Sequence, residues 1–135
     1  MMSKEVLIVD DDIDFVETIE IVLKSNGYET RTAYNGEEAL KKVIEKAPDI
    51  MLLDIMMKTK GDGIWVSEKI KADKSIKEIP IIMITAVNQD ADMVKFHFEK
   101  DAGKDSKYIP VNTFMEKPIE IDELLAEISK LIGAP

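Results

Sequence analysis

The sequence predicts an α/β domain built on an open parallel sheet with helices on both faces. Short continuous apolar runs recur along the chain, as expected of strands buried on both sides. Between them the apolar residues fall at helical spacing. The resulting count, five strands alternating with five helices, is the pattern of a doubly covered parallel sheet, and right-handed crossovers leave few ways to connect it.

Val6-Leu7-Ile8-Val9 is the first strand. Ile13, Val16, Ile19 and Leu23 then recur at helical spacing, with Asp14 and Glu17 as a capping pair and Asn26-Gly27 as the stop. Tyr28 to Ala33 is β-prone but polar at several positions, which suits an edge strand. Asn35-Gly36-Glu37-Glu38 opens a second helix carrying Leu40, Val43, Ile44 and Ala47, with lysines toward its end and Pro48 closing it. Ile50 to Leu53 is the third strand, ending at Asp54; a loop from Met56 to Gly63 leads to a helix around Ile64, Trp65, Val66 and Ile70. The fourth strand, Ile81 to Ile84, ends at Thr85. Asp90 to Ala102 reads as a helix and Gly103 to Pro110 as a loop. Thr113-Phe114-Met115 is a short fifth strand ending near Lys117-Pro118, and Ile121, Leu124, Leu125, Ile128, Leu131 and Ile132 form the apolar stripe of the last helix. With no repeat, low-complexity tract or linker, residues 1–135 are expected to form one domain.

Composition removes several function classes. Eighteen basic against 27 acidic side chains give a net charge of −9, which phosphate backbones and anionic lipid repel, so neither direct nucleic-acid nor membrane binding is expected. The absence of cysteine excludes disulfides, thiolate catalysis and cysteine-ligated zinc. A single histidine, His97, leaves little room for a histidine-based triad. The start of the chain carries no signal pattern, and no apolar run approaches transmembrane length, so a cytoplasmic protein is expected.

Ligands of open α/β sheets bind at the carboxyl ends of the strands. Those ends carry Asp10, Asp11 and Asp12 after the first strand, Asp54 after the third, Thr85 after the fourth and Lys117 after the fifth. Carboxylates gathered on one rim repel one another, and a hard divalent cation such as Mg²⁺, with its preference for oxygen ligands, resolves that repulsion. A lysine and a hydroxyl beyond Asp54 then frame a compact anionic group. The set suits phosphoryl transfer, where catalysis is mostly positioning and charge neutralisation. Of the aspartates, Asp12 is read as the start of the first helix, since Asp is a favoured N-cap.

The runs VLIVDDD, IMLLD, IIMITA and FMEKPI, in this order, resemble the receiver domain of bacterial two-component response regulators, chemotaxis-regulator-like and covering the chain from about Lys4 to Ile132. The resemblance implies a flavodoxin-like sheet of order 2-1-3-4-5. It implies that Asp54 is the phosphoacceptor, taking its phosphoryl group from a sensor histidine kinase or a phosphotransfer protein of a phosphorelay. Asp11 is implied to ligate Mg²⁺, with Asp10 holding a metal-bound water and the backbone carbonyl of Met56 as a further ligand. Thr85 is implied to hydrogen-bond the phosphoryl group, Lys117 to pair with it, and Phe114 to be an aromatic switch, with core filler as the lesser reading of Phe114. Two departures stand out. Lys58 occupies the place of a usual proline in a loop one residue longer, and extra residues lie around Phe98 to Val111. That extra segment, mixed in charge around Gly103, is read as a partner-specific surface, with a passive excursion of the chain as the alternative. Met56 and Val87 are apolar where the family tunes self-hydrolysis, so a long-lived phosphorylated state is expected.

The leading reading is a stand-alone phosphorylation switch that signals through a downstream protein target and is not a conventional enzyme. The alternative is a phosphorylation-independent binding module with the same fold, against which the intact set of Asp10, Asp11, Asp54, Thr85 and Lys117 argues. A flavodoxin-type enzyme is disfavoured, because three aspartates after the first strand repel a phosphate that such a site must cradle.

Overall fold

Apolar runs of β-branched residues and leucine become strands here because both faces of each central strand are covered. The computed structural model describes residues 3–55, 57, 63–76, 78–85 and 113–135. The strands are β1 (Glu5–Val9), β2 (Glu29–Ala33), β3 (Ile50–Asp54), β4 (Ile81–Thr85) and β5 (Thr113–Glu116). All pair in parallel, in the order β2-β1-β3-β4-β5, as the resemblance implied. Four helices lie among the described residues: α1 (Ile13–Ser25), α2 (Gly36–Glu45), α3 (Gly63–Ala72) and α4 (Ile121–Ile132). The expected helix at 90–102 and loop at 103–110 lie outside the described residues, as do Met56, Lys58, Val87, His97 and the segment 98–111.

Strand alternation divides the core into two layers. Leu7, Val9, Met51, Leu53 and Met83 face α2 and α3, packing with Ala39, Val43, Val66 and Ile70. Val6, Ile8, Ile50, Leu52, Ile82 and Ile84 face α1 and α4, packing with Val16, Ile19, Leu23, Leu124 and Ile128. The polar second strand is indeed an edge, because β2 ends the sheet on one side.

Two expectations about helix faces need correction. Ile13 and Ile44 are exposed, at 56% and 64%. Ile13 is the first helical residue and stands past the end of β1, so little sheet surface lies beneath it. Ile44 follows the buried Val43 and is therefore about 100° round the helix from it; it lines a shallow apolar hollow with Leu40 and Trp65. The cap of α1 is also not Asp14. Asp12 holds that place, as its reading as an N-cap expected, its carboxylate accepting the Phe15 N–H at 3.1 Å, while Asp14 lies in the first turn. The predicted stop is correct: Gly27 adopts φ 93 just past Asn26, a left-handed conformation glycine takes without a Cβ penalty. Asn35 caps α2 by accepting the Glu38 N–H at 2.8 Å.

Candidate functional site

Asp10 and Lys117 sit one step beyond a strand, Asp11 two steps beyond, and Asp54 and Thr85 at the last position of theirs, and the sheet ladder continues far enough to fix the rim. The Asp10 N–H donates to Ala33 O at 3.1 Å, Ile55 N–H to Ile84 O at 2.9 Å, and Lys117 N–H to Thr85 O at 2.8 Å. Backbone positions on the rim are thus tied to neighbouring strands and not left to loops. On the far side of Asp54, α3 begins at very close range. The Gly63 N–H donates to Ile55 O at 3.0 Å, and a Cβ at Gly63 would stand 2.3 Å from the Asp54 carbonyl oxygen. Only glycine allows that approach.

The side chains converge. Carboxylate oxygens of Asp10, Asp11 and Asp54 all lie within 4.8 Å of one another. Asp10 and Asp54 are buried and Asp11 is half-buried. At such a separation each like-charged pair repels by about 3–4 kcal/mol at an effective dielectric near 20. One cation answers from β5: Lys117 Nζ donates to Asp10 Oδ2 at 2.7 Å. The other oxygen, Asp10 Oδ1, accepts the Asp12 N–H at 2.9 Å. Lys117 thus answers Asp10 in a pocket that gathers three carboxylates.

That donor set fits a hard metal ion. Oxygens around an octahedral Mg²⁺ stand about 3–4 Å apart, so the carboxylates need to close in only slightly, or to bind through the waters such an ion keeps. Asp10, Asp11 and Asp54 form an acidic pocket able to hold a metal.

Thr85 is buried at the end of β4. Met83 pairs with Phe114 in register, so alternation makes Thr85 and Phe114 diagonal neighbours on one sheet face. Phe114 is half-buried and packs against the α2–α3 side of the core, which serves the core-filler and switch readings alike. Asp10, Asp11, Asp54 and Lys117 are brought together directly, and Thr85 joins through the β4–β5 ladder. Met56 lies outside the described residues.

Two residues at the site escaped sequence reasoning. Gly63 was visible only as a loop glycine. Phe15, on the first turn of α1, carries the Lys117 ammonium over its ring at 4.3 Å from the centroid. An aromatic one turn into the helix that follows an aspartate pair was the available signal.

Comparison with known proteins agrees with this geometry. Residues 6–129 match the family described as "Response regulator receiver domain". The chain is 34% identical over 131 residues to the alkaline phosphatase synthesis transcriptional regulatory protein PhoP of Bacillus subtilis, covering 97% of this chain and 49% of that protein. It is 29% identical over 127 residues to the DNA-binding dual master transcriptional regulator RpaA of Synechocystis, covering 94% of this chain and 48% of that protein. The chain thus spans about half the length of these curated relatives. Among solved structures, a response regulator from Chloroflexus aurantiacus superposes with TM-score 0.80 at 30% identity, covering 97% of this chain and 98% of that one. The receiver domain of NtrX from Brucella abortus gives TM-score 0.75 at 27% identity, with 94% and 97% covered.

Proposed function

The chain belongs to the response regulator receiver family, and from that premise we propose that it is a signalling switch thrown by phosphorylation of Asp54. A carboxylate oxygen of Asp54 attacks the phosphorus of a phosphohistidine on a partner kinase or phosphotransfer protein. The O–P bond of an acyl phosphate forms, the P–N bond breaks, and the imidazole nitrogen leaves with the electron pair. Asp10, Asp11 and Asp54, with the carbonyl of Met56, are the residues that hold Mg²⁺ in this reading. When bound, the ion supplies charge neutralisation for the developing phosphoryl oxygens. Lys117 pairs with the new phosphoryl group as a compact cation. Thr85 donates its hydroxyl to it, and Phe114 follows as the switch.

The observation that carries this reading is the meeting of three carboxylates from the ends of β1 and β3 with a lysine from the end of β5. Output passes to a downstream protein target, since a net charge of −9 disfavours direct contact with nucleic acid. No helix among the described residues is long and apolar enough to cross a membrane; we place the protein in the cytoplasm, as one receiver domain over residues 1–135. Intact-mass analysis after incubation with Mg²⁺ and acetyl phosphate tests the proposal. One phosphate adduct is expected, absent without Mg²⁺ and absent in Asp54→Asn. A native chain that gains no phosphate would instead favour a phosphorylation-independent binding module.

A further inference from the structure

Lysine alone is a poor positional device. Its ammonium is a point charge on a flexible four-carbon stem, and fixing that stem costs rotamer entropy. At this rim two groups fix it: Asp10 Oδ2, 2.7 Å from Nζ, and the Phe15 ring, 4.3 Å away at its centroid. The first anchor is contested, because Asp10 belongs to the carboxylate set assigned to the metal ion, so a cation there competes for the same oxygens. The second anchor is not. A ring offers a bound metal no hard oxygen, yet its π face attracts an ammonium.

Phe15 is well placed to serve. It lies in the first turn of α1, where Cα–Cβ bonds tilt toward the helix N-terminus and hence toward the rim. Its N–H is tied to the Asp12 carboxylate at 3.1 Å, and its ring is half-buried against the α1–α4 side of the core. A leucine would fill that core position as well. The aromatic face is what the ammonium uses.

We propose that Phe15 is the positioning residue for Lys117: its ring holds the ammonium at the rim when Asp10 turns to the metal, ready to meet the phosphoryl group. The proposal rests on Asp54 being the phosphoacceptor. The test uses the full chain and two readouts. One is the initial rate of adduct formation from acetyl phosphate at saturating Mg²⁺. The other is the NMR shift of the Lys117 Hε protons, identified by their loss in Lys117→Arg. In the native protein these protons should be shifted upfield by the ring current. Phe15→Leu should abolish that shift and slow the reaction about two- to tenfold, the range such contacts support. Phe15→Tyr should keep both. An unshifted Lys117 in the native protein, or a folded Phe15→Leu reacting at the native rate, overturns the proposal. So does Phe15→Tyr reacting slowly. If Phe15→Leu fails to fold, the native resonance and the tyrosine variant decide. A native chain that takes no phosphate overturns the switch reading itself, whereas Phe15→Leu at native rate overturns only the role of Phe15.

Discussion

At the N-terminal end of β1, Glu5 is buried and closely matched. Its carboxylate accepts from Arg31 Nε at 2.9 Å and lies 3.5 Å from Lys46 Nζ, while its N–H donates to Asp49 Oδ2 at 2.7 Å. Arg31 spends its other donors on the Lys42 and Lys46 carbonyls. One buried acid faces two bases, and Arg31 also secures the end of α2. At the C-terminal end of the same strand, Asp10 pairs with Lys117 at 2.7 Å and lies among the carboxylates of Asp11 and Asp54. One end of the strand pairs acid with base and ties α2 to the sheet; the other gathers acids into a pocket able to hold a metal. The difference teaches where to look for function: not at buried charge as such, but at buried charge of one sign.

Neutralising one acid at each end breaks or sharpens this comparison with the largest expected effect. Glu5→Gln removes the charge that Arg31 and Lys46 answer and should destabilise the fold by about 1.5–3 kcal/mol at neutral pH. Asp54→Asn removes one of three mutually repelling charges. In metal-free buffer it should stabilise by about 1–2 kcal/mol. Urea denaturation reads both. A fall in stability for Asp54→Asn, or none for Glu5→Gln, would dissolve the distinction between the ends.

Metal binding should give the next largest effect. Asp11 contributes a carboxylate to the acidic pocket, whereas Asp12 is occupied as the α1 cap. Asp11→Asn should therefore weaken Mg²⁺ by about tenfold or more, through lost attraction to a dication in a partly desolvated site. Asp12→Asn should change it less than about twofold, because Asn caps a helix as well as Asp. Titration calorimetry separates the two, and equal losses would remove Asp11 from the metal set.

The acidic end was far more legible in the sequence than the balanced one. Each site residue there lies within two positions of an apolar run, so local pattern and the strand-end rule suffice to place Asp10, Asp11, Asp54, Thr85 and Lys117 on one rim. Nothing local announces that Arg31, on a strand read only as a polar edge, reaches back to Glu5. The Phe15–Lys117 contact joins opposite ends of the chain. The helical stripe of Ile13, Val16, Ile19 and Leu23 leaves Phe15 out, and only the topology brings Lys117 over its ring. The exposure of Ile13 and Ile44 has the same origin: periodicity gives a face, but where the sheet beneath it stops is a tertiary fact.

The smallest effect concerns whether the balanced end tolerates a new charge, as the acidic end must under the proposed function. Tyr28 immediately precedes β2, at the end of the sheet where Glu29 pairs with Glu5. Its ring is buried in the core, and its hydroxyl lies 3.4 Å from the Gly133 carbonyl, a long contact. Burial raises the phenol above its usual value of 10.0, because the fold disfavours the tyrosinate. With the folded value above the unfolded one, this contribution to stability is complete below about pH 10 and is lost as pH rises through the folded value. Tyr28→Phe removes the ionisation while keeping the ring. At pH 7 the variant should match the native protein within about 0.5 kcal/mol. Above about pH 10 the native protein should lose stability more steeply than the variant, as read by urea midpoints across that range. Parallel curves would mean that this end of the sheet absorbs an added negative charge as readily as the acidic end does.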